Sequence, residues 1–83
     1  MRVRVAFYAR LAELAGRREW QADLPSGSTV AAVWAAAVTA FPDLAPMSGR
    51  ISCAVNAEFA PLAAAVADDD EVAFLPPVSG GCE

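Results

Sequence analysis

The feature that most constrains the fold is a single apolar stripe on one predicted helix. Apolar residues from Val30 to Phe41 recur at the i, i+3, i+4, i+7, i+8 and i+11 positions of one helix face. Ser28 or Thr29 stands before this run and can cap the helix, and Pro42 closes it. Because the helix has only one apolar face, we expect it to pack on one face of a sheet.

Alternating segments on both sides of this helix predict the strands of that sheet. Residues 2–7 alternate apolar and polar, a short helix follows at about residues 9–15, and residues 19–24 alternate again. After the long helix, "DLAPMSG" is expected to be a loop. Three short strands then follow in "RISCAV", "EFAPL" and "EVAFL", with a tight turn at Asn56-Ala57. The sequence therefore predicts an α+β fold: a mixed sheet of about five strands with one long and one short helix.

Charge and composition exclude several classes of function. The net charge is −4, and the six basic residues are all arginine, so the chain has neither lysine nor histidine. An acidic domain without lysine is a poor binder of nucleic-acid phosphates, so no nucleic-acid partner is expected. Without histidine, the chain lacks the commonest general base and the commonest metal ligand. Without lysine, it can form no Schiff base and accept no conjugate on a lysine side chain. Catalysis by this chain alone is therefore disfavoured.

The same composition predicts the compartment and argues against a metal site. The longest apolar stretch, Val30–Val38, is too short to span a membrane, and no signal-peptide core follows the N-terminus. Cys53 lies in an apolar strand and Cys82 in a tail, so no disulfide is expected and a reducing cytoplasm is the predicted location. The acidic run "ADDDE" lacks the spacing of calcium ligands and predicts a solvated turn.

The last residues predict a tail separate from the folded domain. We expect residues 1–75 to form the domain and residues 76–83 an extended tail that begins with Pro76-Pro77. Proline fixes φ, so this pair forms a semi-rigid spacer. Gly80-Gly81 have no side chains, so a narrow channel can close around their backbone. The alternative is a frayed terminus that happens to be rich in glycine.

Strand parity predicts an apolar group at the base of this tail. If Phe74 points into the core, Leu75 points outward, and if Phe7 points inward, Tyr8 lies at the surface. Phe59, in a short edge strand, is expected nearby. Together these side chains predict a docking patch for another protein. The alternative is that one or more of them complete the core of a small domain.

Three stretches, "FYARLAELAG", "VNAE" and "DDDEVAFLPPVSGG", resemble the MoaD/ThiS family of ubiquitin-like β-grasp sulfur carriers, and most closely the small subunit of molybdopterin synthase. The resemblance implies that a MoeB-like E1 adenylyltransferase uses ATP to adenylate Gly81, which then becomes a thiocarboxylate. It implies that the tail enters a MoaE-like large subunit and delivers sulfur there. It also implies that the chain itself binds no cofactor and is the sulfur-donating subunit of a sulfurtransferase complex. The resemblance implies that Gly80 belongs to the catalytic site with Gly81. The partner-binding residues that it implies are Tyr8, Phe59, Leu75, Pro76, Pro77, Val78 and Ser79.

The sequence departs from the family pattern at three places. Ala12 stands where relatives often carry arginine, for which Arg10 can substitute, and Asp69 stands where relatives usually have glycine. Aspartate tolerates the left-handed conformation, so the turn at Asp69 is expected to survive. The third departure is that Cys82 and Glu83 follow Gly81.

A glycine whose carbonyl is in a peptide bond cannot be adenylated, which makes the third departure the most important. We expect Cys82-Glu83 to be a precursor extension that a JAMM-type peptidase removes. Two other possibilities are that the Cys82 thiol assists by an N-to-S shift, or that the chain never carries sulfur.

The sequence therefore predicts a sulfur carrier for molybdenum cofactor biosynthesis. The alternatives are a carrier for another pathway (thiamine, cysteine, siderophore or tRNA thiolation) and a ubiquitin-like modifier or binding module.

Overall fold

The long helix forms as predicted and lies across one face of a five-stranded sheet. The computed structural model describes residues 1–76 of the chain. The predicted order of strands and helices is confirmed. The elements are β1 (Arg2–Phe7), α1 (Arg10–Ala15), β2 (Glu19–Asp23), α2 (Val30–Ala40), a 3₁₀ helix (Pro42–Met47), β3 (Ser52–Val55), β4 (Glu58–Phe59) and β5 (Glu71–Leu75).

The sheet is mixed, and its strand order is β2-β1-β5-β3-β4. The central strands β1 and β5 are parallel, with Phe7 opposite Phe74, and every other neighbouring pair is antiparallel. The amide of Tyr8 donates a hydrogen bond to the carbonyl of Phe74 (N···O 3.2 Å). The parallel pairing therefore places the end of β1 beside the end of β5, where the tail begins.

The core lies between the sheet and α2. The apolar stripe of α2 is buried at Val30, Val33, Trp34 and Ala37. The Trp34 and Phe74 rings meet edge to face, with centroids 5.0 Å apart. Of the two candidate caps, Thr29 fulfils the role, because its hydroxyl accepts a hydrogen bond from the amide of Ala32. Among the residues that the structure describes, no helix is long and apolar enough to cross a membrane.

The segment between α2 and β3 differs from the prediction. Much of the expected loop at residues 43–49 lies in the 3₁₀ helix Pro42–Met47, which packs against both helices. Leu44 in this helix is completely buried. The loop prediction was wrong here because a short 3₁₀ helix that buries one leucine shows no apolar periodicity in sequence.

The turn between β1 and α1 holds a residue in a strained conformation. Ala9 has φ 51° and ψ −125°, the geometry of the first central position of a type II′ turn. The amide of Leu11 closes this turn on the carbonyl of Tyr8 (N···O 3.0 Å). Glycine normally occupies such a position, and another residue there costs about 1–3 kcal/mol. The turn fixes the direction in which the chain leaves Tyr8.

We expect Ala9→Gly to raise the free energy of unfolding by about 1 kcal/mol, because relief of the strain exceeds the entropy cost of glycine. Denaturant titration measures this change. The matched variant Ala12→Gly lies inside α1 and is expected to lower the same free energy by about 1 kcal/mol. If both variants were destabilised, the strain at Ala9 would not be a cost to the fold.

A hydrogen-bonded network joins the β3–β4 turn to the acidic turn. Asn56 and Ala57 both have positive φ (51° and 72°), which confirms the predicted tight turn. The Asn56 side chain donates to Asp70 Oδ1 and accepts from the amide of Glu71, each at 3.0 Å. The amide of Ala67 donates to Asp70 Oδ2 (2.8 Å). The hydrogen bond from the Ala67 amide, and to a lesser extent the one from Asn56, hold the pKa of the Asp70 carboxyl below its ordinary value.

This network predicts a pH dependence of stability. Because the pKa of Asp70 is lowered on folding, its contribution is complete above the ordinary carboxyl pKa of 3.8 and is lost as pH falls through the folded value. Asp70→Asn leaves one acceptor oxygen for the two donors, the Ala67 amide and the Asn56 side chain, so one hydrogen bond is lost at an expected cost of about 1 kcal/mol at neutral pH. Its unfolding free energy should then change less with pH in the acid range than that of the natural chain. Asp43→Asn, an exposed carboxylate elsewhere, is the control and should keep the natural pH profile.

The departure at Asp69 is accommodated as predicted. Asp69 has φ 68°, in the left-handed region that aspartate tolerates better than most residues. Its amide donates to the carbonyl of Arg2 (2.7 Å), and the amide of Arg2 donates to Asp68 Oδ1 (2.7 Å). The acidic turn is therefore tied to the start of β1.

Candidate functional site

The face of the sheet away from α2 is open and carries a row of small residues that ends in an exposed ring. The strand register places Ala6 opposite Ala73, Ala73 opposite Ala54, and Ala54 opposite Phe59. Directly paired residues point to the same face of a sheet, so these four side chains form one row. Phe59 is 79% exposed, whereas Ala54 is only 8% exposed although it lies on the open face. The three alanines therefore form a flat apolar strip, and the Phe59 ring protrudes from the sheet at its β4 end.

A second row lies beside the first, where the tail begins. Tyr8 follows β1 and is 49% exposed. Leu75, the last residue of β5, is half-buried and pairs with Ser52. Leu75 is thus less exposed than Tyr8 and Phe59. We use the name docking surface for Tyr8, Leu75, Phe59, Ala6, Ala54 and Ala73.

The sequence predicts the large side chains of the docking surface as a binding patch, but it does not predict that the alanines belong to it. Ala54 and Ala73 occupy outward positions by the same strand parity that places Leu75 outward. Their signal in the sequence is the absence of a polar side chain at an outward position. Because alanine is small, Ala6, Ala54 and Ala73 leave room between Phe59 and Tyr8 for side chains of a partner.

An open cleft of about 650 Å³ adjoins the docking surface between α1 and β2. Its wall includes Tyr8, Ala12 and the charged side chains of Arg17, Arg18 and Glu19. The Arg17 guanidinium lies 5.4 Å from the centroid of the Phe41 ring, close enough for a cation–π contact. Ala12, where relatives often carry arginine, thus shares this cleft with two arginines that come from the segment after α1.

The described residues keep their polar side chains out of the core, where the thiol of Cys53 lies. Within residues 1–76, no polar or charged residue is buried, and no buried side-chain polar atom lacks a partner. Cys53 is 5% exposed, and its burial raises the pKa of the thiol. A buried thiol of this kind is a poor nucleophile.

The predicted tail begins directly at the docking surface. Pro76 follows Leu75, is half-buried, and is the last residue that the structure describes. Seven residues to which the sequence assigned roles lie outside the described part of the chain: Pro77, Val78, Ser79, Gly80, Gly81, Cys82 and Glu83.

A mixed five-stranded sheet crossed by one long helix defines a ubiquitin-like β-grasp fold. The sequence matches the ThiS family over residues 5–81, and the chain belongs to that family. Both the fold and the family that the sequence suggested are thereby confirmed.

Individual relatives agree with this assignment. The chain is 35% identical over 79 residues to the molybdopterin synthase sulfur carrier subunit of Arabidopsis thaliana, covering 95% of this chain and 82% of that protein. It is 32% identical over 82 residues to the human protein of the same name, covering 95% and 93% of the two chains. The crystal structure of SAMP1 from Haloferax volcanii superposes with a TM-score of 0.87 at 36% identity, covering 98% of this chain and 100% of that chain.

Proposed function

We propose that this chain is a sulfur carrier, the small subunit of a molybdopterin synthase, and that it carries sulfur as a thiocarboxylate on Gly81. The observation that carries the proposal is the docking surface: Tyr8 and Phe59 stand exposed on the sheet face where the tail leaves Leu75. A partner that binds this surface would receive the tail at a defined position. Family membership and the relatives that are sulfur carrier subunits support the same function.

The chemistry is divided between the chain and its partners. In an ATP-using, MoeB-like E1 adenylyltransferase, a carboxylate oxygen of Gly81 attacks the α-phosphate of ATP and pyrophosphate leaves. A hydrosulfide ion then attacks the Gly81 carbonyl carbon, the bond from that carbon to AMP breaks and AMP leaves, and loss of the sulfur-bound proton gives the thiocarboxylate. A MoaE-like large subunit supplies the substrate pocket and the acid–base groups. This division fits a chain that has neither histidine nor lysine.

The residues that follow Gly81 must be removed before these steps. Adenylation needs a free carboxylate, whereas the sequence continues with Cys82-Glu83. We propose that a peptidase of the JAMM type hydrolyses the Gly81–Cys82 peptide bond. Residues 76–81 then form the reactive tail of the mature carrier.

Intact-mass measurement tests the proposal. The chain is expressed in its native host, purified, and incubated with ATP, the E1-like enzyme and a sulfur source. Loss of the last two residues, followed by replacement of one oxygen by sulfur at Gly81, is the expected result. A chain that keeps its full mass in the host and gains no sulfur would overturn it. A Cys82→Ser variant that is processed normally would eliminate a role for the Cys82 thiol.

The second candidate is a protein modifier, which the similarity to SAMP1, a small archaeal modifier protein, favours. In that case an amine of a target protein, and not a sulfur nucleophile, attacks the activated Gly81 carbonyl. Mass spectrometry of tryptic digests from the host separates the two functions. Gly81 joined to lysines of other proteins indicates the modifier, whereas a thiocarboxylate without such linkages indicates the carrier. A carrier for another sulfur pathway would form the thiocarboxylate but fail to restore a host that lacks the molybdopterin synthase small subunit.

A further inference from the structure

We infer that the processed chain, residues 1–81, is a one-way acyl donor: its fold keeps the amine of Met1 and the thiol of Cys53 from attacking the activated Gly81 carbonyl. The chain can then be transferred to a partner's nucleophile, but it cannot acylate itself or a second copy. The inference rests on the proposed function, because only an activated Gly81 needs such protection. It goes beyond that function, because a carrier or modifier of this fold does not require it.

The sequence removes almost every amine. None of the 83 residues is lysine, and arginine supplies the entire basic charge. A guanidinium stays protonated in proteins and is not a nucleophile, whereas a lysine amine can lose its proton and react. The six arginines therefore supply positive charge for binding partners, but none of them is a nucleophile that could accept the acyl group.

The remaining amine, the amino group of Met1, is held in place by the fold. It donates a hydrogen bond to the carbonyl of Leu24 (N···O 2.6 Å), and Met1 is half-buried. Attack on a carbonyl carbon needs an open approach to the lone pair of the amine, and this hydrogen bond keeps the amine against the Leu24 carbonyl.

The parallel pairing of β1 and β5 also keeps this amine far from the tail. Met1 lies before the first residue of β1, whereas the tail leaves from the last residue of β5. Because the two strands run in the same direction, about 20 Å of strand separates these points. Residues 76–81 extended to their limit reach about 20 Å, so the tail would have to run straight back along the sheet. Residues 76–81 therefore span this distance only at the limit of their length.

The thiol of Cys53 lies near the end of β5, but on the face of the sheet that packs in the core. Cys53 is directly opposite Phe74, one residue from the end of β5. Its side chain belongs to the core cluster with Phe74, and it is 5% exposed. Burial disfavours the thiolate, which is the reactive form. The Gly81 carbonyl therefore cannot reach Cys53 without partial unfolding.

The prevented reaction is simple acyl transfer. An amine nitrogen attacks the Gly81 carbonyl carbon and forms a C–N bond, the bond from that carbon to the leaving group breaks, and the amine proton passes to solvent. With an acyl adenylate the leaving group is AMP, and with a thioester it is a thiol. Each such event would consume an activated carrier and produce a cyclic chain or a covalent dimer.

A Gly81 thioester of residues 1–81 tests the inference without any enzyme. This form contains every residue of the described fold, residues 1–76. In its folded state it is expected to give only hydrolysed chain, with neither cyclic product nor dimer by intact mass. In denaturant, where Met1 and Cys53 are free, linked products should form at least about tenfold faster. Equal rates in the two states would overturn the inference.

The matched variant is Arg50→Lys, which keeps the charge at an exposed turn residue and adds one reactive amine. It is expected to form linked products in the folded state, because the added amine is exposed, whereas the amine of Met1 is hydrogen-bonded and half-buried. A folded Arg50→Lys chain that stays as inert as the natural one would contradict the inference. The thioester needs no adenylation, so failure of the E1-like enzyme to activate Gly81 would overturn the proposed function and leave this result standing.

Discussion

Gly81→Ala is expected to lower the rate of thiocarboxylate formation and of sulfur transfer by about 100-fold or more. The added methyl group would meet the walls of a channel that closes around a bare backbone and would displace the reacting carbonyl. A displacement of about 1 Å of a reacting group can cost 10²-fold in rate. The rate of thiocarboxylate formation with the E1-like enzyme, ATP and a sulfur source measures this effect. The variant is used as the processed chain so that cleavage does not limit the rate.

The control is another glycine-to-alanine change that acts on the fold and not on the tail. Gly49 has φ 84° in the turn before β3, and Gly49→Ala is expected to cost about 1–2 kcal/mol of stability for that reason. It should leave the transfer rate of the folded chain unchanged. A Gly81→Ala chain that still transfers sulfur at the natural rate would show that Gly81 is not the reactive residue.

Phe59→Ala is expected to raise the dissociation constant for the large subunit and for the E1-like enzyme by about 30-fold or more, equivalent to 2 kcal/mol or more. An exposed aromatic ring next to an apolar surface is typical of the residues that contribute most of the binding energy in a protein–protein interface. Because the ring is 79% exposed, its loss should change the free energy of unfolding by less than about 0.5 kcal/mol. Isothermal titration calorimetry and denaturant titration measure the two quantities separately.

Leu62→Ala is the matched control for this prediction. Leu62 is 40% exposed but lies outside the docking surface, and its carbonyl accepts a hydrogen bond from the amide of Ala31 at the start of α2. Its truncation should leave both dissociation constants near the natural values. Equal losses for Phe59→Ala and Leu62→Ala would mean that partners recognise exposed apolar area in general and not the open face of the sheet.

Partner binding through the docking surface and the low reactivity of the chain's own nucleophiles would together make acyl transfer from a carrier specific. In the proposed function, a partner binds the exposed side chains of Tyr8 and Phe59 and thereby receives the tail. In the further inference, the burial of Cys53 and the hydrogen bond of Met1 hinder attack by the chain's own nucleophiles on the activated carbonyl. Specific transfer then depends on which protein docks, because the carrier offers no competing acceptor.

Much of the local structure could be predicted from the sequence because it depends on residues close together in the chain. The stripe of α2, the cap at Thr29 and the turn at Asn56-Ala57 each follow from neighbouring side chains. The conformation of Ala9 and the 3₁₀ helix around Leu44 could not be predicted. Both are imposed by packing against distant elements, which overrides what the local sequence prefers.

The sequence by itself determined the order of the elements, the family, the diglycine tail and the absence of lysine and histidine. Only the tertiary structure decided which residues become neighbours. The parallel pairing of β1 with β5 sets Tyr8 beside the start of the tail and the amino group of Met1 at the far end of the sheet. The pairing of β3 with β4 places Phe59 in one row with three alanines. Periodicity fixes the face that a side chain occupies, whereas strand order and register arise from contacts between residues far apart in the chain.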